Sequence, residues 1–272
     1  MSICLALASG KGGVGKSTVA AHLGAALSLS GMPVIVMDTD IGLRSQDVFL
    51  SLENRVVYDL IDLANGRCQI QQCLLSSETF PNLYLIPAAQ FARARDLEPK
   101  QIKKIIRSLR SSFSFILLDC PAGIERGFRN TLISEVDDFI LVTTPDDLSL
   151  RSAERTLQVI ETKRQIRPSL IVNRLNPVLI RNGEMMSASA AAQILDLPLL
   201  GEIPDDDSVY RSQLRHALCL QYDCEARNAF LRIASRLQGN TVPLPAYGSR
   251  RLVRFRTDRR KVMKEVLPID NH

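Results

Sequence analysis

Hydrophobic and polar positions along the chain follow two periodicities. Short apolar runs predict buried parallel strands at residues 3–8, 33–38, 83–87, 115–119, 138–144, 169–173 and 199–204. Apolar residues at helical spacing predict helices at 18–29, 98–112 and 149–164. Because strands and helices alternate, the pattern predicts an α/β fold: a single-domain, doubly wound, mainly parallel sheet with helices on both faces.

The run between the first strand and the first helix fits the phosphate-binding pattern G-x-x-x-x-G-K-[ST], with an additional lysine beside its first glycine. Glycines allow positive φ, so that backbone N–H groups can converge on phosphate oxygens. A lysine in this loop reaches the β and γ phosphates, and the following hydroxyl completes the coordination of Mg²⁺. The predicted nucleotide residues are Gly10, Lys11, Gly12, Gly13, Val14, Gly15, Lys16, Ser17 and Thr18.

Acidic residues follow two of the predicted strands, at the edge where a parallel sheet binds its ligand. Asp119 closes one strand and is followed by a Pro-Ala-Gly turn, which favours a role beside magnesium. Asp38 closes another strand and Asp40 follows it, although either alone could be a helix cap or a loop acid. Phosphoryl transfer depends on positioning, so Asp40 is predicted to orient or deprotonate the attacking water. The predicted metal set is Ser17, Asp38 and Asp119.

Composition is that of an ordinary globular enzyme of the cytoplasm. The chain has 272 residues, 46% hydrophobic and 23% charged, which is enough for one substantial core. No linker or repeat is visible, so one ATPase domain is predicted over residues 1–248. Because no apolar stretch is long enough to span a membrane and no leader precedes the first strand, neither a spanning helix nor export is expected. Six cysteines form no C-x-x-C pair, which gives zinc or redox sites little support.

Residues 249–272 carry the charge of the chain. They hold 8 of the 34 Lys and Arg residues and 3 of the 29 Asp and Glu residues, so the whole net charge of +5 resides there. Placed on a helix, this tail gathers an apolar side surrounded by arginines and lysines, typical of helices that lie on anionic membranes. A solvated basic extension is the alternative. The predicted membrane residues are Leu252, Phe255, Val262, Met263 and Val266.

Three segments together resemble the ParA/MinD family of deviant Walker A P-loop ATPases. They are residues 11–18 (KGGVGKST), 38–44 (DTDIGLR) and 118–125 (LDCPAGIE). Segments 52–60, 85–90, 172–174 and 183–187 extend the similarity over roughly nine tenths of the chain. Within the family the chain is most similar to the group that positions the bacterial division site.

The resemblance implies ATP and Mg²⁺ as cofactors and an ATP-dependent homodimer. In the family the additional lysine, here Lys11, crosses the dimer interface to the phosphates of the other subunit, so the implied catalytic residues are Lys11, Lys16 and Asp40. Family analogy places Asn173 on adenine, with Pro204 and Asp205 near the base. Hydrolysis is expected to be slow alone and stimulated by a partner.

The resemblance also implies protein partners, an inhibitor similar to MinC and an ATPase activator similar to MinE. The family uses aspartates in the first turn of a helix for partner binding, and here the corresponding segment is Leu150 to Glu154, with Glu154 its one acid. The implied function is a switch that places the division septum from the cytoplasmic face of the inner membrane, as a peripheral protein. Specific nucleic acid is not an expected partner.

Other functions within the superfamily stay open at this point. A DNA partition ATPase would use the basic tail on phosphates, with strongly salt-dependent binding, although the apolar side of the tail disfavours it. A regulator of flagellar or polar placement would share every motif. An iron-sulfur carrier would require interface cysteines that the spacing does not provide, and Cys219 and Cys224 have no assigned role.

Overall fold

The computed structural model describes residues 2–124 and 126–245. Over these residues one eight-stranded sheet forms in the order β3-β4-β2-β5-β1-β6-β7-β8. Every neighbouring pair is parallel except β3 with β4. The strands are β1 (Ile3–Ala8), β2 (Val34–Asp38), β3 (Leu75–Ser76), β4 (Leu83–Ile86), β5 (Phe115–Asp119), β6 (Asp138–Thr143), β7 (Ser169–Leu175) and β8 (Leu199–Pro204).

Helices connect the strands and cover both faces of the sheet. The predicted helices 18–29, 98–112 and 149–164 are confirmed, and they span Lys16–Ser28, Pro99–Leu109 and Asp147–Arg164. The α-helices found in the described ranges are α1 (Lys16–Ser28), α2 (Gln46–Phe49), α3 (Leu60–Ala64), α4 (Ile70–Cys73), α5 (Pro99–Leu109), α6 (Arg126–Leu132), α7 (Asp147–Arg164), α8 (Pro177–Asn182), α9 (Ala188–Leu195), α10 (Asp207–Gln213) and α11 (Glu225–Leu237).

Each predicted strand is present, with its ends within two residues of the expected positions. The short edge strand β3 was not predicted, because two residues show neither an apolar run nor a periodicity. Strand β7 extends to Leu175, beyond the expected residue 173, with an irregular register against β8. The doubly wound, mainly parallel sheet is therefore confirmed, with one antiparallel edge.

Alternate residues of the strands build two cores, one on each face. In β1, Ala6 packs in the core shared with α5 and α7, whereas Leu7 packs in the core shared with α1 and α11. Burying a leucine of this kind contributes about 2 kcal/mol to stability. The helix α1 is buried on nearly every side because it lies against the sheet and α11. This burial fixes the start of α1, where the phosphate loop ends.

The order of the strands locates the ligand crevice. From β1 the chain crosses through α1 to β2 on one side, whereas from β5 it crosses through α6 to β6 on the other side. Connections that leave neighbouring strands in opposite directions open a crevice at their carboxyl ends. The phosphate loop follows β1 and Asp119 ends β5, so both lie at this crevice.

The proposed membrane residues Leu252, Phe255, Val262, Met263 and Val266 lie outside the described residues. In the ranges that the structure does describe, no helix combines the length and the apolar character needed to cross a membrane. The division of the chain into an ATPase domain and a tail at residue 248 stays a prediction.

Candidate nucleotide site

The loop between β1 and α1 depends on glycine at two close contacts. A Cβ at Gly10 would lie 2.1 Å from the backbone carbon of Ser152 in α7, and a Cβ at Gly15 would lie 2.3 Å from Nδ2 of Asn173. Gly15 also has φ 88° as the residue before α1, a left-handed conformation that favours glycine. A Cβ at Gly12 meets no described atom within 4 Å, so packing does not require that glycine.

Lys16 lies on the inner side of this loop. Its side chain is only 5% exposed, its Nζ forms an ion pair with Oδ1 of Asp119, and it donates to Oγ of Ser17 at 3.2 Å. Burial alone would lower the pKa of Lys16, but the charge and the hydrogen bond of Asp119 outweigh it and raise that pKa. The lysine is therefore held in its charged form at the predicted phosphate position.

Asp38 is fully buried and organises the turn that follows β2. Its carboxylate accepts backbone N–H groups from Asp40 at 3.0 Å, Ser45 at 2.9 Å and Gln46 at 3.0 Å. Burial, together with the neighbouring Asp119 carboxylate, raises the pKa of Asp38 to about 7 in spite of these bonds. Asp38 and Asp119 are paired residues of β2 and β5. Asp38 thus holds the turn that carries Asp40, and its role as a magnesium ligand stays a prediction.

Asp40 stands at the mouth of the crevice and is half-buried. Burial raises the pKa of Asp40, the charge of Lys16 lowers it, and the charge of Asp119 raises it further, so that the pKa lies above its ordinary value. An acid near the phosphates with a raised pKa can accept a proton more readily than an ordinary surface carboxylate. The placement suits the predicted role of Asp40 toward a water molecule.

Lys11 lies on the outer side of the same loop, with its side chain 40% exposed. Its Nζ is 3.5 Å from Oδ1 of Asp146, the residue that caps α7. Asp146 also accepts hydrogen bonds from the hydroxyls of Thr144 and Ser149, each at 2.6 Å, and from the N–H of Ser149 at 2.9 Å. Burial would raise the pKa of Asp146, but these bonds and Lys11 lower it to about 2.

A second pocket, of about 280 Å³, opens beside the phosphate loop. It brings the predicted base residues Asn173, Pro204 and Asp205 together with Gly15 and Thr18. Nδ2 of Asn173 donates to the carbonyl oxygen of Val14 at 2.8 Å, which leaves Oδ1 as the acceptor of this side chain. The remaining lining residues are Arg174, Ile203, Asp206, Val209, Tyr210, Gln213 and Phe230.

The structure adds residues that the motifs did not indicate. His22 is fully buried in α1 and stacks on Phe230 of the pocket wall, with ring centroids 4.7 Å apart. Its Nε2 accepts the N–H of Cys219 at 3.2 Å, so Nδ1 carries the proton and donates to the carbonyl oxygen of Thr18 at 2.8 Å. Burial lowers the pKa of His22 to about 4 against the effect of the Thr18 bond. His22 thus ties α1 to the pocket wall and to the segment at Cys219. The sequence showed only a single histidine in an apolar helix, which does not indicate such contacts.

Comparison with known proteins agrees with this geometry. Residues 5–219 match the model of the CobQ/CobB/MinD/ParA nucleotide binding domain. The chain belongs to this family. It is 42% identical to the septum site-determining protein MinD of Bacillus subtilis over 248 residues, covering 90% of this chain and 92% of that protein.

Two solved structures of the family are also similar to the chain. The MinC:MinD cell division protein complex of Aquifex aeolicus superposes with a TM-score of 0.82 at 33% identity, covering 91% of this chain and 100% of that one. The septum site-determining protein MinD complexed with Mg-ADP from Pyrococcus horikoshii superposes with a TM-score of 0.77 at 28% identity, covering 87% of this chain and 96% of that one.

The donor set of the crevice fits magnesium bound together with a nucleotide. Mg²⁺ keeps several waters and takes one or two carboxylates plus phosphate oxygens, so it needs no cage of protein ligands. The Ser17 hydroxyl and the Asp119 carboxylate both lie against Lys16, beside the phosphate loop. The described residues contain no cluster of three or more His, Cys, Asp or Glu side chains arranged to hold a metal.

Proposed function

We propose that the chain is an ATP hydrolase that acts as a membrane switch in placing the division septum. ATP pairs two copies, the paired tails bind the anionic cytoplasmic face of the inner membrane, and the dimer recruits a MinC-like inhibitor. Hydrolysis, stimulated by a MinE-like activator, separates the copies. The observation that carries the proposal is the contrast between the two loop lysines, because Lys16 is buried against Asp119 and Lys11 is half-exposed beside Asp146.

The inner side of the loop serves the nucleotide of its own subunit. Backbone N–H groups of the loop and Lys16 bind the phosphates, and Lys16 exchanges Asp119 for phosphate oxygens as it does so. Ser17 and Asp119 would hold magnesium, which would supply positive charge to offset the charge of the phosphates. Asp40 orients the attacking water and accepts its proton.

The outer side of the loop serves the partner copy. The ion pair of Lys11 with Asp146 is half-exposed, and pairs of this kind contribute only about 0–1 kcal/mol, so Lys11 can leave it at little cost. A buried lysine facing phosphate charge across an interface is stabilised far more strongly. Lys11 therefore favours the ATP-bound pair of subunits over the single chain.

Exposed apolar side chains that follow β2 and β4 also support an interface. Phe91 is 95% exposed and Leu43 is 75% exposed, and their loops are joined by the hydrogen bond from the N–H of Gly42 to the carbonyl oxygen of Ala89 at 2.9 Å. Apolar surface of this kind marks sites of protein contact. We infer that a second copy covers both side chains in the ATP-bound pair.

The base pocket favours ATP over GTP. The bond to Val14 uses one N–H of Nδ2 and fixes the orientation of the Asn173 amide, so we infer that Oδ1 faces the base and accepts from the amino group of adenine. Guanine presents an oxygen at the corresponding position, which would leave two acceptors facing one another. Asn173 thus contributes to base selection as well as to affinity.

The partners follow from the family and from the surface of α7. The similarity to a MinC:MinD complex supports an inhibitor of the MinC kind. Glu154 is exposed on α7, where the family places its partner-binding acids, and Gly10 and Lys11 contact the same helix near its start. An inhibitor or activator bound on α7 would therefore lie close to the loop that binds ATP.

Sedimentation with anionic liposomes tests this function. The full chain is expected to co-sediment with ATP and not with ADP, and truncation after Gly248 should abolish binding. Lys11→Ala and Lys16→Ala should do the same by preventing the paired state. Each basic residue near an anionic surface contributes about 1 kcal/mol, so two tails bind where one is marginal.

The basic tail also keeps a DNA partition ATPase as the second candidate, since all of the net charge of the chain lies in it. That function requires salt-dependent binding to DNA of any sequence. Binding to DNA and not to liposomes, independent of nucleotide, would replace the membrane switch with this alternative.

A further inference from the structure

Gln46 contacts every residue of the proposed metal set. Its backbone N–H donates to Oδ2 of Asp38 at 3.0 Å. Its side-chain Nε2 donates to Oδ2 of Asp119 at 2.7 Å and to the carbonyl oxygen of Ser17 at 2.9 Å. Asp119 is 73 residues away along the chain, so the fold brings these groups together. One residue at the start of α2 thus joins the phosphate loop, β2 and β5.

The Gln46 side chain is not explained by packing. It is fully buried, and its Oε1 has no hydrogen-bond partner among the described residues. Turning the amide over would place an oxygen against the acceptors of Asp119 and Ser17, so the observed orientation is the required one. A buried acceptor without a partner destabilises the fold, and an apolar side chain of similar size would avoid that cost. The amide nitrogen is therefore the part of the residue that matters.

The two oxygens of Asp119 have different partners. Lys16 binds Oδ1 and Gln46 binds Oδ2. When Lys16 turns to the phosphates of a bound nucleotide, Asp119 loses the first of these bonds. The second bond belongs to α2 and does not depend on the nucleotide, so it can keep the carboxylate in place after the lysine has moved.

We propose that Gln46 is a positioning residue of the magnesium site, which orients Asp119 toward the metal once Lys16 has moved to the phosphates. Since Gln46 also holds Asp38, it links that orientation to the turn that carries Asp40. This role rests on the proposed function, because it requires that the crevice bind a nucleotide with magnesium.

Magnesium-dependent ADP binding tests the proposal without any turnover. ADP affinity is measured by calorimetry in EDTA and over a range of Mg²⁺ concentrations. Gln46→Met should raise the Mg²⁺ concentration for half-maximal enhancement by about 10- to 100-fold, the usual effect of losing a group that orients a metal ligand. ADP affinity in EDTA should change by less than about threefold, since the loop loses one hydrogen bond at the Ser17 carbonyl oxygen but keeps Lys16 and its own N–H groups for the phosphates.

Ser45→Ala is the matched control, because the Ser45 side chain makes no capping hydrogen bond to α2 and its backbone N–H to Asp38 is retained. It should leave the Mg²⁺ midpoint unchanged. Gln46→Leu is a second substitution at the same position, for use if Gln46→Met does not fold. Urea unfolding shows whether each of these two variants is folded. In an Asp119→Asn background, Gln46→Met should have no further effect on the Mg²⁺ midpoint.

An unchanged Mg²⁺ midpoint in Gln46→Met would overturn the proposal. Equal losses of ADP affinity in EDTA and in Mg²⁺ would also overturn it, because they would show a purely structural role. Additive effects of the Gln46 and Asp119 substitutions would show that Gln46 does not act through Asp119. If the wild-type chain bound no ADP under any condition, the proposed function would fail instead.

Discussion

The two sides of the phosphate loop differ in the burial and the partners of their lysines. On the inner side, Lys16, Asp119 and Asp38 are buried, and their polar groups are bonded to one another, to Gln46 and to the turn after β2. On the outer side, Lys11 has a single half-exposed ionic partner, Asp146. Burial fixes the inner lysine before any ligand arrives, whereas exposure leaves the outer lysine free to change partners. In the proposed switch, this difference assigns nucleotide binding to Lys16 and contact with a second copy to Lys11.

The largest effect is expected on the inner side. Lys16→Met removes the charge that faces the phosphates and leaves Asp119 without its ionic partner. Breaking a buried pair in this way destabilises a protein by about 3–5 kcal/mol. Calorimetry should find no ATP binding, and urea unfolding should show the loss of stability. If Lys16→Met unfolded at the wild-type urea concentration, the inner side would not depend on this pair.

The buried His22 predicts a pH dependence on the inner side. Its pKa is about 4 in the folded chain against 6.5 for an ordinary histidine, so the unfolded state takes up a proton first as pH falls. Stability is therefore fully present above pH 6.5 and falls toward pH 4, by about 1.4 kcal/mol per pH unit from this group. Asp38, with its raised pKa of about 7, has the opposite effect on stability over this range. Urea unfolding at pH 7 and pH 5 therefore isolates the His22 slope only as the difference between the wild type and a variant that lacks this ring.

His22→Gln removes the titrating ring and provides the comparison for that slope. The variant should be less stable at pH 7, yet lose less stability than the wild type between pH 7 and pH 5. Equal losses in the two proteins would show that His22 does not set the acid response.

Two glycines of the loop differ in whether an added Cβ would meet α7. Gly10→Ala places a Cβ 2.1 Å from the backbone of α7, where neither the loop nor the helix can yield cheaply, and should destabilise the chain by about 1–3 kcal/mol. Gly12→Ala is the matched control, because its Cβ meets no described atom within 4 Å. Urea unfolding without ligand compares them. Equal stability of the two variants would show that Gly10 and α7 are not in close contact.

A smaller effect, on ATP affinity, is expected from a substitution in the base pocket. Asn173→Ala removes the proposed acceptor for the adenine amino group and the bond to Val14, which should weaken ATP binding by about tenfold, or 1.4 kcal/mol. The preference for ATP over GTP should fall with it. Asn182→Ala, which loses only an exposed bond to Glu184, should leave both values unchanged. Retained preference in Asn173→Ala would move base selection to other residues of the pocket.

The smallest effect on the single chain is expected on the outer side. Asp146→Asn keeps most of the helix cap and removes the charge that faces Lys11, so stability should change by less than about 1 kcal/mol. Urea unfolding without nucleotide measures it. A loss comparable to that of Lys16→Met would contradict the distinction between the two sides.

The fold was predictable because parallel strands buried on both faces show as continuous apolar runs. The loop was predictable because phosphate binding requires particular residues at fixed spacing. Asp119 and Asp38 followed from their places at strand ends, and the structure places both at the crevice between β1 and β5.

The residues that the sequence did not indicate are those whose contacts lie far away along the chain. Gln46 and His22 act through contacts with groups 73 and 197 residues away, and no local pattern distinguishes them from other buried side chains. Asp146 caps α7, and local sequence is compatible with that role. Its pairing with Lys11 depends on how α7 lies against the loop. Such roles come from tertiary packing, which single-sequence patterns do not contain.

The central claim is that ATP pairs two chains through Lys11, and the mass of the particle in solution tests it most directly. Asp40→Ala, which retains the loop but should not hydrolyse ATP, is examined by light scattering with ATP and with ADP. A dimer with ATP and a monomer with ADP are expected, and adding Lys11→Ala should leave a monomer that still binds ATP. A dimer that persists without Lys11, or a monomer under all conditions, would contradict the account.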